Sequence, residues 1–225
     1  MKAKSKEPAL PDSITAVRLA RGDILLLLNN DIEIIENNWL FEMVAQAVRP
    51  DIGAVGARLL YRDGRVQHAG IALGAGGGVA GHLHLKAAGG SDGYFGDLRH
   101  ARDVSAVTAA CMALRRAVFD EAGGFDAAHL AVAFNDVDLC LKIRARGYRI
   151  VWTPRAELYH LESASRGPDT RPEAVARFRR EIATMQERWP DELMNDPYFG
   201  PHFDLMGHHY QLAPVSRRVR PWRAG

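Results

Sequence analysis

Leu25-Leu26-Leu27-Leu28-Asn29-Asn30-Asp31-Ile32-Glu33 sets an apolar run directly against amides and carboxylates. An apolar run of roughly four to eight residues is the pattern of a strand buried on both faces. The polar cluster then falls at the strand's carboxyl end, where open α/β sheets bind their ligands. A carboxylate there suits a metal-bound phosphate ligand, although a strand that merely reaches solvent ends the same way.

Outward from this stretch, the chain alternates helical and extended patterns. Residues 1–13 read as a loose polar lead-in, and Ile14 to Ala20 as the end of a helix before a strand at Ile24 to Leu28. Trp39, Leu40, Met43, Val44, Ala47 and Val48 recur at helical spacing and Pro50 stops them, which predicts a helix covering one face of the sheet. Strands are predicted at Gly53 to Tyr61, Val66 to Leu73 and Val104 to Leu114, with Arg62-Asp63-Gly64-Arg65 as a turn. The glycine-rich Gly74 to His82 suits neither regular state. It lacks the Gly-Lys-Ser/Thr ending of a P-loop and reads as a mobile loop near the acceptor, with phosphate binding as the alternative.

Further on, Arg116 to Ala122 and Asp136 to Arg146 read as helices closed by Gly123-Gly124 and Gly147, and short strands are expected around Pro154. Thr170 and Glu173 have capping-box spacing with Pro172 in the first turn. They predict a last helix whose Val175, Phe178, Ile182, Met185 and Trp189 dock as one face.

Composition excludes several classes. A chain of 225 residues, 47% apolar and 25% charged, is an ordinary globular domain. A net charge of +2 with scattered basic residues gives no footprint for nucleic acid. Cys111 and Cys140 lie in apolar segments, which suits buried thiols in a reducing compartment. No stretch approaches the roughly eighteen apolar residues of a membrane span, and Pro8, Pro11 and Asp12 stand where a signal peptide needs its apolar core. The tail from Arg217 to Arg223, with four arginines and Trp222, suits peripheral contact with an anionic membrane, a frayed end being the ordinary alternative.

Four further segments keep company with the acidic cluster: Phe134-Asn135-Asp136-Val137-Asp138-Leu139-Cys140-Leu141-Lys142, Arg146-Gly147-Tyr148, Tyr159-His160, and Glu162-Ser163-Ala164-Ser165-Arg166-Gly167. In order and spacing the whole resembles the family 2 glycosyltransferases of GT-A type, in the branch that builds bacterial polysaccharide and O-antigen, from about Ala20 to Ala213. The resemblance implies a GT-A-like (Rossmann-like) mixed sheet flanked by helices. It also implies inverting transfer of a sugar from a nucleoside diphosphate sugar to a glycan or lipid-linked glycan. The place of action would be the cytoplasm, peripherally at the inner membrane.

Carried over by residue, Asn29-Asn30-Asp31 occupies the place of the aspartate-x-aspartate motif. Asn29 and Asn30 would meet ribose or sugar hydroxyls, and Asp31 would ligate a divalent cation, Mn or Mg, helped by His160 and by Glu33. A solvent-facing Glu33 and a merely hydrogen-bonded His160 are the competing readings. Asp136 matches the aspartate that deprotonates the acceptor, with helix capping as its alternative job. Asn135 replaces the more usual glutamate, Thr108 shapes the acceptor side, and Arg166 would pair with a diphosphate oxygen. Asp138 reads as structural.

One departure concerns the N-terminus. The family's first strands form much of the nucleotide-binding half, and Lys2 to Asp12 is too short for a βαβ unit of about thirty residues. The sequence therefore reads as N-terminally incomplete, with an open sheet edge inviting self-association or a partner chain. A non-catalytic or partner-dependent glycan-binding remnant and a metal-dependent phosphoester hydrolase are the other readings.

Overall fold

The computed structural model describes residues 12–161, 171–206 and 210–218. In chain order the elements are α1 (Asp12–Leu19), β1 (Ile24–Leu28), β2 (Ile32–Ile34), α2 (Trp39–Ala47), β3 (Ile52–Leu60), β4 (Val66–His68), β5 (Ile71–Leu73), a helical turn α3 (Ala75–Gly78) and β6 (Ala80–His82). They continue with β7 (Arg102–Asp103), β8 (Cys111–Arg115), α4 (Arg116–Glu121), α5 (Asn135–Arg144), β9 (Arg149–His160), α6 (Pro172–Arg188) and α7 (Pro190–Met194).

A mixed seven-stranded sheet runs β1-β8-β3-β9-β2, with β4 sharing one edge of β3 and β7 lying against β9. Only β3 and β9 are parallel; the other pairings of this sheet are antiparallel. Helix α2 covers one face through Trp39, Met43 and Ala47, which pack with Ile52, Val55, Leu59 and Leu158. On the other face α4, α5 and α6 bury Val118, Leu139, Ile143 and Met185 against Leu25, Leu27 and Trp152.

The long strand buried on both faces is β3, in which all nine residues are buried, as are the short β4 and β5. The expectation made that of β1, and the structure corrects it. β1 ends the sheet, Leu25 and Leu27 alternate into the core, and Leu28 is 45% exposed. An end strand has a neighbour on one side only, so fewer layers cover it.

The two strands expected around Pro154 are one. β9 keeps its register with β3 by a bulge that sets Thr153 opposite Ala57 and Glu157 opposite Arg58. A proline without an N–H is tolerated at such a bulge. Val66 to Leu73 is instead broken in two at Gly70, whose φ of +93° turns the chain from β4 into β5. The strand expected from Val104 begins only at Cys111. Residues 104–110 cross over the sheet, and Gly56 makes room, since a Cβ there would stand 2.5 Å from the Val107 side chain.

Gly123 and Gly147 take left-handed conformations after α4 and α5, as the caps require. The glycine-rich loop becomes α3 and the small β5–β6 sheet, with Gly74, Gly76, Gly77 and Gly78 all at positive φ. Helix α6 starts at Pro172 with Arg171 at its N-cap and no side-chain cap; Thr170 lies outside the described residues. The face of α6 that is buried carries Ala174, Glu181 and Met185, while Val175 and Phe178 stay 39% and 46% exposed. The predicted face is therefore rotated, because Glu181 finds partners inside.

Candidate active site

Register places the first half of the site. The Asn29 N–H donates to the Ala110 carbonyl at 2.9 Å, carrying the β1–β8 ladder one step past the strand. The chain turns through Asn30-Asp31 and returns as β2, which sets Ile32 opposite His160 at the end of β9. The Leu161 N–H donates to the Asp31 carbonyl at 3.0 Å. Asp31 and His160 are thus neighbours by sheet geometry, although far apart in sequence. His160 Nε2 stands 3.2 Å from Asp31 Oδ1 and 3.1 Å from Asn29 Nδ2. Asp31 Oδ1 is buried and, among the described residues, has no hydrogen-bond partner.

Strand β4 supports this half from behind. Gln67 Oε1 is 2.7 Å from His160 Nδ1, and Gln67 Nε2 donates to the His160 carbonyl at 3.3 Å. The next residue points the other way, as strand alternation requires. Fully buried His68 accepts from the Thr108 N–H across 3.4 Å and meets His82 Nδ1 at 2.8 Å. Burial, then the charges of His82, Arg102 and His160, hold His68 well below the usual histidine range, so it stays neutral.

The second half is built on the start of α5. Asp136 Oδ2 accepts from the Ala109 N–H at 3.1 Å and Oδ1 from the Val137 N–H at 2.9 Å. The Thr108 hydroxyl accepts from the Ala110 N–H at 3.3 Å, closing the turn. The three-residue turn Thr108–Ala110 therefore touches Asp136 through one amide and Asn29 through one carbonyl, joining the two halves.

Helix α6 secures the approach to Asp136. Its buried Glu181 accepts from the Val132 and Ala133 N–H groups at 3.0 and 3.1 Å. Phe178 stacks on Phe134, which enters α5 at φ +61°. Asp138, wholly buried one turn in, is held by Lys142 at 2.9 Å, Arg188 at 2.8 Å and the Trp189 indole at 3.0 Å.

The structure thus sets Asp31 and Asn29 against His160 and links Asn29 to Asp136 through the Thr108–Ala110 turn. Glu33 is turned away, paired with Arg62 at 2.7 Å. Asn30 is exposed in the turn and Asn135 is half-buried at the start of α5. Arg166 lies outside the described residues. An open cleft of about 690 Å³ flanks His160, lined by Tyr61, Arg62, Asp63, Arg65, Lys86 and Leu161. Sequence reasoning missed Gln67, His68 and Glu181, whose signal was a polar side chain inside an apolar pattern.

Among the described residues no three His, Cys, Asp or Glu side chains converge on one point. A divalent cation would find two protein donors in Asp31 and His160 and take the rest from water and phosphate, as Mg²⁺ usually does. Neighbouring donors on an octahedron stand about 3.0 Å apart, so the 3.2 Å between Asp31 Oδ1 and His160 Nε2 fits such an ion. The partnerless Oδ1 fits it too.

The fold is of the GT-A glycosyltransferase type. Residues 3–184 match the family model described as glycosyltransferase-like family 2, and the chain belongs to that family. It is 52% identical over 198 residues to the uncharacterized protein y4gI of Sinorhizobium fredii, covering 88% of this chain and 22% of that protein. It is 41% identical over 196 residues to the O-antigen biosynthesis protein RfbC of Myxococcus xanthus, covering 84% of this chain and 14% of that protein. The chain thus spans less than a quarter of the length of either relative. In fold it is similar to the crystal structure of GalNAc-T7 with UDP, GalNAc and Mn²⁺, at a TM-score of 0.57 and 16% identity over 80% of this chain and 34% of that one.

Proposed function

We propose that this chain transfers a glycosyl group, with inversion, from a nucleoside diphosphate sugar to a glycan or lipid-linked glycan of the bacterial surface. The observation that carries the reading is the Thr108–Ala110 turn, which holds the Asp136 carboxylate and the Asn29–Asp31 segment beside each other.

The acceptor hydroxyl hydrogen-bonds to Asp136, which takes its proton as the oxygen forms a bond to the anomeric carbon. The bond from that carbon to the diphosphate breaks, and its electron pair leaves with the diphosphate. Attack from the face opposite the leaving group inverts the carbon. Two backbone N–H groups orient the Asp136 carboxylate, so the base needs little reorganisation.

Asp31 and His160 would hold the divalent cation, which when bound neutralises charge on the departing diphosphate. The cleft beside His160 adds Lys86, together with Arg62 and Arg65, which are ion-paired with Glu33 and Asp63 and would have to exchange those partners for the anion. The UDP and Mn²⁺ named with the solved structure and the O-antigen role named for the Myxococcus relative support donor and acceptor classes. Among the described residues no helix is long and apolar enough to cross a membrane. We place the domain on the cytoplasmic side, where nucleotide sugars and lipid-linked acceptors meet.

Calorimetric titration with UDP, GDP and dTDP, each with and without Mn²⁺, tests the donor site. Metal-dependent binding of one nucleotide is expected, and binding of none overturns the reading. With the matching sugar donor, Asp136→Asn should lower transfer at least ~100-fold, the low end of general-base contributions, with the fold and donor affinity kept and the thermal midpoint lowered, since its NH₂ faces one of the two backbone N–H donors. Equal turnover in the variant removes Asp136 as the base.

A further inference from the structure

We infer that Gln67 is the positioning residue that makes His160 a ligand, by fixing which ring nitrogen carries the proton. The inference rests on the metal half of the proposed function.

The contacts with His160 orient the Gln67 amide. Its nitrogen faces the His160 carbonyl at 3.3 Å, where only a donor is favourable, so its oxygen is the atom 2.7 Å from Nδ1. An amide oxygen only accepts, so Nδ1 must carry the hydrogen. A neutral imidazole has one N–H, and Nε2 is left with its lone pair. Within reach of Nε2 are Asn29 Nδ2, 3.1 Å away and able to donate, and Asp31 Oδ1, 3.2 Å away and able only to accept.

Two acceptors facing each other at this distance need something positive between them. Asn29 can donate to Nε2, but among the described residues nothing donates to the buried Asp31 Oδ1, and a cation taking the place of the Asn29 N–H would be held by both atoms at once. Gln67 itself is 4% exposed and is not among the residues that line the cleft. Its effect runs through the ring. Outer groups that hold a ligating histidine in this way typically change metal affinity about 10- to 100-fold when removed.

Two variants separate orientation from packing. Gln67→Leu keeps volume and removes both contacts, whereas Gln67→Glu keeps an acceptor at Nδ1. Long-range proton–nitrogen NMR of histidine-labelled protein, at a pH where the rings are neutral, reads the tautomer without metal. Wild type and Gln67→Glu should show His160 protonated at Nδ1, and Gln67→Leu should lose that preference.

Titration with Mn²⁺ alone, followed by the free-ion electron paramagnetic resonance signal, should show binding to wild type weakened about 10- to 100-fold in Gln67→Leu and largely restored in Gln67→Glu. A wild-type ring protonated at Nε2, or at both nitrogens, overturns the inference. So does Gln67→Leu binding Mn²⁺ as wild type does. Wild type with the expected tautomer but no Mn²⁺ binding overturns the ligand role of His160 and leaves the Asp136 base untouched.

Discussion

Individual residues here are set by burial against partners. Burial pushes the Cys111 and Cys140 thiols up to about 12, which leaves them protonated and without a role as nucleophiles. Burial is also the largest reason that His68 stays neutral. Its folded value lies below the unfolded one, so below about pH 6.5 the unfolded chain binds a proton that the folded chain refuses. Stability should therefore fall as pH drops from 7.5 to 5.5, by up to about 1.4 kcal/mol per unit from this residue. Asp126 acts in another window. Burial raises its value, but Arg188 and His129 more than offset that and hold it near about 2, so its contribution is lost only between about pH 4 and 2. Urea unfolding across pH, in wild type and His68→Gln, separates the two. The variant should lose slope between pH 7.5 and 5.5 and keep the acid transition, and an unchanged upper slope would show that His68 takes up its proton without unfolding.

Elements were legible wherever periodicity and caps decide them. The strand at Ile24–Leu28, the helix at Trp39–Ala47 and the Gly123 and Gly147 caps follow from local pattern alone. The fully buried β3 was located, but its rank as the central strand depends on the order of the sheet. What local pattern does not carry is a polar residue whose partner is distant. Gln67 and His160 are 93 residues apart, and Glu181 and Val132 are 49. Read alone, a glutamate between Phe178 and Met185 looks like a solvated interruption of an apolar stripe, so the predicted face of α6 was rotated toward Val175. The structure turns Glu181 inward because two backbone N–H groups wait there. Glu181→Gln keeps the shape but sets an NH₂ against one of those N–H groups. It should cost about 1–3 kcal/mol, the usual penalty of an unsatisfied buried group. Transfer should fall as well, since the segment that Glu181 holds leads into Asp136. Chemical denaturation measures the loss; an unchanged midpoint would mean that the fork is not formed.

At the scale of the whole molecule the sheet is unevenly protected. The β2 end carries Glu33, ion-paired with Arg62, whereas the β1 end is Ile24-Leu25-Leu26-Leu27-Leu28, five aliphatic residues with no charge or proline. Among the described residues no strand pairs with its outer side. Natural edge strands are usually blunted by charge, proline or a bulge, and one without them is a template for another strand. The relatives cover this chain within much longer proteins, so the edge has two candidate occupants, a strand from elsewhere in a longer chain or a second copy. For the 225-residue chain alone the second is the one available. Sedimentation velocity over rising concentration should show reversible association. Leu28→Lys puts a charge at the exposed end of the strand, and at 45% exposure Leu28 contributes little to the core, so the variant should stay folded and monomeric. A wild-type chain that remains monomeric throughout would mean that the outer side of β1 is already covered. Association unchanged by Leu28→Lys would move the contact away from this edge.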